Sequence, residues 1–191
     1  MNVGTLSHKQ NGDYFAWGET STKSPSLFIE DYYFDNTYTK YNASGETVLA
    51  PEDDAAHVSW GGDWRMPTDE EFRELFDATK TEWRWVSANG ETINGETCYN
   101  GMLITSKTTR NSIYLGSTGY YNGSTHSSPD NSGWYWASKV STQFEKGAYH
   151  LEISYPHNAT DGYHERHSVY DGAARYYGMS IRPVCSTPAA E

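Results

Sequence analysis

Cysteine is nearly absent: Cys98 and Cys185 are the only two in 191 residues. They lie far apart with no C-x-x-C spacing, which argues against a structural zinc site or a thioredoxin-type dithiol and leaves a single disulfide open. Positive charge is also scarce, with 14 Lys and Arg against 25 Asp and Glu and a formal net charge of −11. Nucleic acids are bound by basic stripes, so a nucleic-acid partner is excluded, and anionic membrane surfaces are disfavoured for the same reason. No apolar run approaches the roughly 20 residues of a membrane span, so direct membrane insertion is not expected. The first thirty residues lack the zones of a signal peptide, and an exported form would have lost its address before Met1. Internal repeats, low-complexity tracts and a G-x-S-x-G nucleophile elbow are missing too.

What the chain has in quantity is aromatic rings: 16 Tyr, 7 Trp and 6 Phe. Rings must therefore supply much of the core, with some left for the surface. The length suits one domain covering residues 1–191. From Leu6 to Tyr41 turn residues are everywhere, and irregular packed loop is expected. Pro51 at a first helical position, followed by acids, predicts a short helix to Val58. A second is predicted from Thr68 and Glu71, a capping box, with Phe72, Leu75 and Phe76 on one face. After residue 83 the period changes to two. Glu82–Val86, Gly101–Thr105, Ser112–Leu115, Gly133–Ala137, Ala148–Ile153 and Gly178–Arg182 read as strands. Helices followed by strands make an α+β fold with a mostly antiparallel sheet.

Trp17, Trp60, Trp64, Phe72, Phe76, Trp134 and Trp136 are assigned to the core. If Trp134 and Trp136 point inward, Tyr135 points to the displayed side. Arg65 and Arg182 are read as paired structural charges.

Three constellations invite chemistry. His164-Glu165-Arg166-His167 is one residue short of the H-E-x-x-H zincin motif. In extended chain its two rings diverge, so no metal ligand is assigned. Acid pairs such as Asp53-Asp54 and Glu70-Glu71 fit helix N-termini better than general acid and base catalysis. Between residues 120 and 170 the segments joining the strands are rich in Tyr, Asn, Ser, His, Asp and Gly, the mixture that dominates antibody paratopes. The candidate ligand-binding residues are Tyr121, Asn122, His126, Asp130, Asn131, Tyr135, Tyr155, His157, Asn158, Tyr163, His164, Arg166, His167 and Tyr170. No catalytic residue and no cofactor is assigned.

Asp13-Tyr14-Phe15-Ala16-Trp17-Gly18-Glu19-Thr20, Asp54-Ala55-Ala56-His57-Val58-Ser59-Trp60-Gly61-Gly62-Asp63-Trp64-Arg65-Met66-Pro67-Thr68, Gly133-Trp134-Tyr135-Trp136 and Arg175-Tyr176-Tyr177-Gly178-Met179-Ser180-Ile181-Arg182-Pro183-Val184 resemble, in order, the Fibrobacter succinogenes major paralogous domain family. The resemblance implies a C-type-lectin-like or formylglycine-generating-enzyme-like fold, in which two helices brace a small twisted sheet and long loops present a binding face. It also implies likeness to the variable proteins of diversity-generating retroelements, and a setting on a bacterial surface, in secretion or on a phage particle. The expected function is a non-enzymatic binding or adhesion module whose partner is a protein or glycan ligand on a cell surface. The alternatives are an oxidase of the formylglycine-generating type, which needs a reactive cysteine pair, and a metal-dependent hydrolase. Ser128-Pro129-Asp130-Asn131 is only a faint echo of lectin calcium signatures, and a proline-led turn explains it. The family's extended stretch before Asn2-Val3-Gly4 is missing, so a first strand is expected to be absent, leaving the edge of Met179 to Val184 unfilled and open to a homodimer.

Overall fold

The computed structural model describes residues 1–7, 9–155 and 166–185, without the side chain of Arg166. Up to Tyr41 the described chain is irregular, as its turn residues dictate, with regular structure limited to single 3₁₀ turns at Pro25–Leu27 and Glu30–Tyr32. The next element starts differently from the expectation. Pro51–Asp53 forms a 3₁₀ turn, and α1 (Ala55–Trp60) begins only after Asp54. Asp54 is the cap because it can satisfy several donors at once. One carboxylate oxygen accepts from the amides of Ala56 and His57 at 2.9 and 3.2 Å, and the other from Met66 N at 2.8 Å. Helix α2 (Asp69–Leu75) has the full capping box, with Thr68 and Glu71 exchanging side-chain to backbone hydrogen bonds.

The fold is α+β, with two short α-helices and many antiparallel strands in small sheets among the described residues. The principal sheet has the order β11-β10-β9, where β9 is Ser132–Val140, β10 is Gly147–Ser154 and β11 is Arg166–Ala174. A second has the order β2-β5-β6, from Thr81–Val86, Gly101–Ser106 and Ser112–Gly116. Two small hairpins are β3 (Glu91–Ile93) with β4 (Glu96–Cys98), and β7 (Tyr120–Asn122) with β8 (Thr125–Ser127). A two-residue pair joins β1 (Trp64–Arg65) to β12 (Val184–Cys185).

Both faces of the principal sheet are covered, but differently. The inner face, carrying Tyr135, Leu151 and Ile153, packs on Phe72 of α2, on Phe76 just after it, and on Met102, Ile104 and Leu115 of the second sheet. The opposite, outer face begins with Trp136, Val140 and Ala148, buried against Val3, Phe15, Trp17, Tyr41, Met179 and Ile181. Close approach of the second sheet on the inner side demands glycine: a Cβ on Gly133 would sit 2.3 Å from the carbonyl oxygen of Gly116.

Three expectations are corrected. The segment read as a strand over Gly178–Arg182 makes only isolated bridges, and its edge is filled. Phe15 and Met179 exchange backbone hydrogen bonds at 2.9 and 3.0 Å, Val3 N donates to Ile181 O at 3.1 Å, and Trp136 N donates to Ser180 O at 3.1 Å. A homodimer through that edge therefore loses its basis. Trp60 and Trp64 are only half-buried and pack edge to face at 4.8 Å, since the short α1 carries Trp60 to the rim of the core. Arg65 does pair, with Glu71 at 2.7 Å, whereas Arg182 donates to Asn2 Oδ1 at 3.4 Å and to the backbone oxygen of Tyr114 at 3.2 Å. Cys98 is buried, Cys185 is exposed, and both thiols are free.

Candidate functional site

The two-residue period of the principal sheet, together with its register, fixes which side chains meet. Across the sheet Trp136 pairs with His150 and His150 with Tyr170, while Trp134 pairs with Glu152 and Glu152 with Ser168. All six positions share the outer face. Where the amino-terminal segments stop covering that face, rings stack on one another instead. His150 lies parallel to Trp134 at 4.6 Å and 11°, and Tyr170 lies over His150 at 5.6 Å and 25°. On the far side of Trp134, Tyr120 of β7 approaches at 4.4 Å, and Tyr177 approaches Tyr120 at 5.2 Å. The result is a row, Tyr177, Tyr120, Trp134, His150 and Tyr170, running across the strands. His150 is buried, whereas Tyr170 is 49% exposed and Trp134, Tyr120 and Tyr177 are half-buried.

The polar groups of this face are short of partners. Among the described residues neither ring nitrogen of His150 has a hydrogen-bond partner, and burial drops its pKa to about 3, so the ring is neutral at ordinary pH. Burial also raises the carboxyl of Glu152, for which no hydrogen bond or ion pair is found among the described residues. Trp134 Nε1 donates to Ser132 Oγ at 3.0 Å, which locks the indole in the row.

The residues singled out from the sequence fall into several places. Tyr170 belongs to the outer row. Tyr135 is the clear correction: it is fully buried on the inner face, where its hydroxyl donates to Gly116 O at 2.6 Å. The alternation of Trp134, Tyr135 and Trp136 holds, but both faces of β9 are covered, and it is Trp134 that reaches solvent. His167 faces inward as well, stacked on Phe76 at 4.1 Å and edge-on to Trp83 at 4.7 Å, and burial lowers its pKa. Tyr155 is 49% exposed, but it lies on the inner side beside Trp85, away from the row. Tyr121 and His126 stack on each other at 4.3 Å against Tyr14, and His126 Nε2 donates to Thr118 O at 2.9 Å, so both hold the hairpin to the frame. Asn122 is exposed next to the hairpin turn. Asp130 and Asn131 are exposed in the turn before β9, with Asp130 at φ 67°. Arg166 is placed by its backbone opposite Ser154. His157, Asn158, Tyr163 and His164 lie outside the described residues.

Sequence reasoning missed Tyr120, His150, Glu152 and Tyr177, and placed Trp134 in the core. A signal for two of them was present: in Tyr149-His150-Leu151-Glu152-Ile153 the polar residues alternate with apolar ones, which puts His150 and Glu152 on one face. Other concavities carry less chemistry. A cleft of about 340 Å³ includes Asp54, His57 and Arg65, but Asp54 is consumed by its cap and Arg65 by Glu71. Among the described residues no three His, Cys, Asp or Glu side chains gather closely enough to hold a metal ion, and no helix is long and apolar enough to cross a membrane. Scans against protein-family models, curated proteins and solved structures find no match to this chain.

Proposed function

We propose that this chain is a non-enzymatic binding module with a C-type-lectin-like fold, which captures a protein or glycan ligand on the outer face of its principal sheet. The observation that carries this reading is the row from Tyr177 to Tyr170, half in water on a frame whose two faces are otherwise packed. Such rings give wide, rigid contact area at low entropic cost, and half-buried aromatic clusters of this kind are typical anchors of recognition surfaces. The exposed Asn122 adjoins this face through β7, which also carries Tyr120, and extends the surface with adaptable polar groups. In this reading the module acts at a bacterial surface, in secretion or on a phage particle, and the resemblance to retroelement variable proteins makes its polar turns candidates for diversification.

The test is a screen of cell-surface proteins and glycans, followed by affinity measurements on variants. Tyr170→Val is expected to weaken binding about tenfold or more while shifting the melting temperature little, because the side chain is half in water. Tyr155→Ala, on the other side of the sheet, is expected to leave binding unchanged. The opposite pattern would move the site away from the outer face.

A further inference from the structure

Stacking uses up ring faces. Trp134 has His150 on one side and Tyr120 on the other, and His150 lies between Trp134 and Tyr170. Tyr170 differs because β11 is the outermost strand and pairs, among the described residues, with β10 alone. Among the described residues its second face therefore has no ring against it, and the side chain is 49% exposed. Glu152 pairs with Ser168, two residues before Tyr170, which makes it the diagonal neighbour of the tyrosine. Such neighbours lie roughly 7–8 Å apart on one face, a span that long side chains bridge.

Tyr170 and Glu152 both offer negative charge, and by register Arg166 takes the next position of this face along β11. The face of an aromatic ring is the negative pole of its quadrupole, Glu152 is a carboxylate with no hydrogen bond or ion pair among the described residues, and the chain carries a formal net charge of −11. All three select a cation. A guanidinium fits better than an ammonium, because its plane can lie on the ring while its fork reaches the carboxylate, whereas a lysine head is a hydrated point charge. So open a corner offers a free small molecule little enclosure. It suits one anchor of a wider protein interface, where tyrosine and arginine are the residue types that dominate binding.

On the reading of the outer face as a binding surface, we infer that Tyr170 and Glu152 form a subsite for an arginine side chain presented by a partner protein. The guanidinium stacks on the open face of Tyr170 and donates to the carboxylate of Glu152. Neutral His150 behind the ring adds no opposing charge.

The test is an NMR titration of the intact chain with Nα-acetyl-arginine amide and with its citrulline counterpart, which keeps the shape and loses the charge. The arginine probe is expected to shift the resonances of Tyr170, Ser168 and Glu152, and to bind about tenfold more weakly, or worse, to the Glu152→Gln variant. The citrulline probe is expected to show the same loss. Tyr170→Phe should keep binding and Tyr170→Val should abolish it. Equal response to both probes, an unchanged affinity in Glu152→Gln, or a methyl pyranoside taking this place would overturn the subsite while leaving the outer face as a binding surface. Binding that emerges only after Arg166→Gln would also overturn it, because the chain's own arginine would then already hold the carboxylate. If a partner found by screening is indifferent to both Trp134→Ala and Tyr170→Val, the reading of the outer face fails and the subsite falls with it.

Discussion

His150 has both ring nitrogens buried without partners, between two rings that accept it as a flat apolar disc. An unsatisfied buried polar group costs roughly 1–3 kcal/mol, so His150→Phe is expected to stabilise the protein at neutral pH by about that amount, as measured by urea denaturation. The same residue sets an acid limit. Its folded-state pKa is near 3, while an unfolded histidine titrates near 6.5. Only the unfolded chain takes up this proton between those values, so stability must fall as pH drops from about 6.5 toward 3. Comparing pH 7 with pH 4, the wild type is expected to lose a few kcal/mol more than His150→Phe, on the order of one 1.4 kcal/mol step per pH unit. Equal acid sensitivity of the two proteins would mean that the imidazole has a polar partner after all. Histidine here is a liability to stability, and its neutrality suits a face that also carries the carboxylate of Glu152.

At the scale of elements, α1 depends on one side chain. Asp54 caps the first turn and also receives Met66 N, tying the helix to the chain beyond β1. Asp54→Ala leaves three amides without that acceptor and is expected to cost roughly 2–4 kcal/mol, read as a lowered denaturation midpoint. Asp54→Asn, which keeps an acceptor, should recover part of the loss. A change within about 0.5 kcal/mol for Asp54→Ala would show that water replaces the cap. Legibility also differed by element. The capping box of α2 could be read to the residue because Thr68 and Glu71 act locally. Strands β2, β5, β6, β9 and β10 were recognisable from alternation and their bounding glycines. β11 was not, because Arg166-His167-Ser168-Val169-Tyr170-Asp171 has few apolar positions and gains its partner only from β10. The start of α1 was misread because proline marks a first turn equally well for a 3₁₀ turn, and the true cap is revealed only by Met66 arriving from elsewhere.

Across the whole molecule, the aromatic content divides into rings that fill two layers and rings left over at the rim of the outer layer. Composition made that division predictable in kind. It did not tell which ring falls where: Trp134 and Tyr135 exchange their expected places because both faces of β9 are covered, and burial depth then depends on distant segments such as Phe15 and Met179. Where a loop-borne site was expected between residues 120 and 170, the site we propose lies, in its described part, on strands and a hairpin. We propose that the outer face, and not the inner rim or the turn at Asp130, meets the partner. Hydroxyl-radical footprinting by mass spectrometry of the chain with and without its bound partner tests this directly. Tyr170, Trp134 and Tyr177 are expected to lose reactivity on binding while Tyr155 keeps it; protection of Tyr155 with Tyr170 and Trp134 unchanged would move the partner to the inner side.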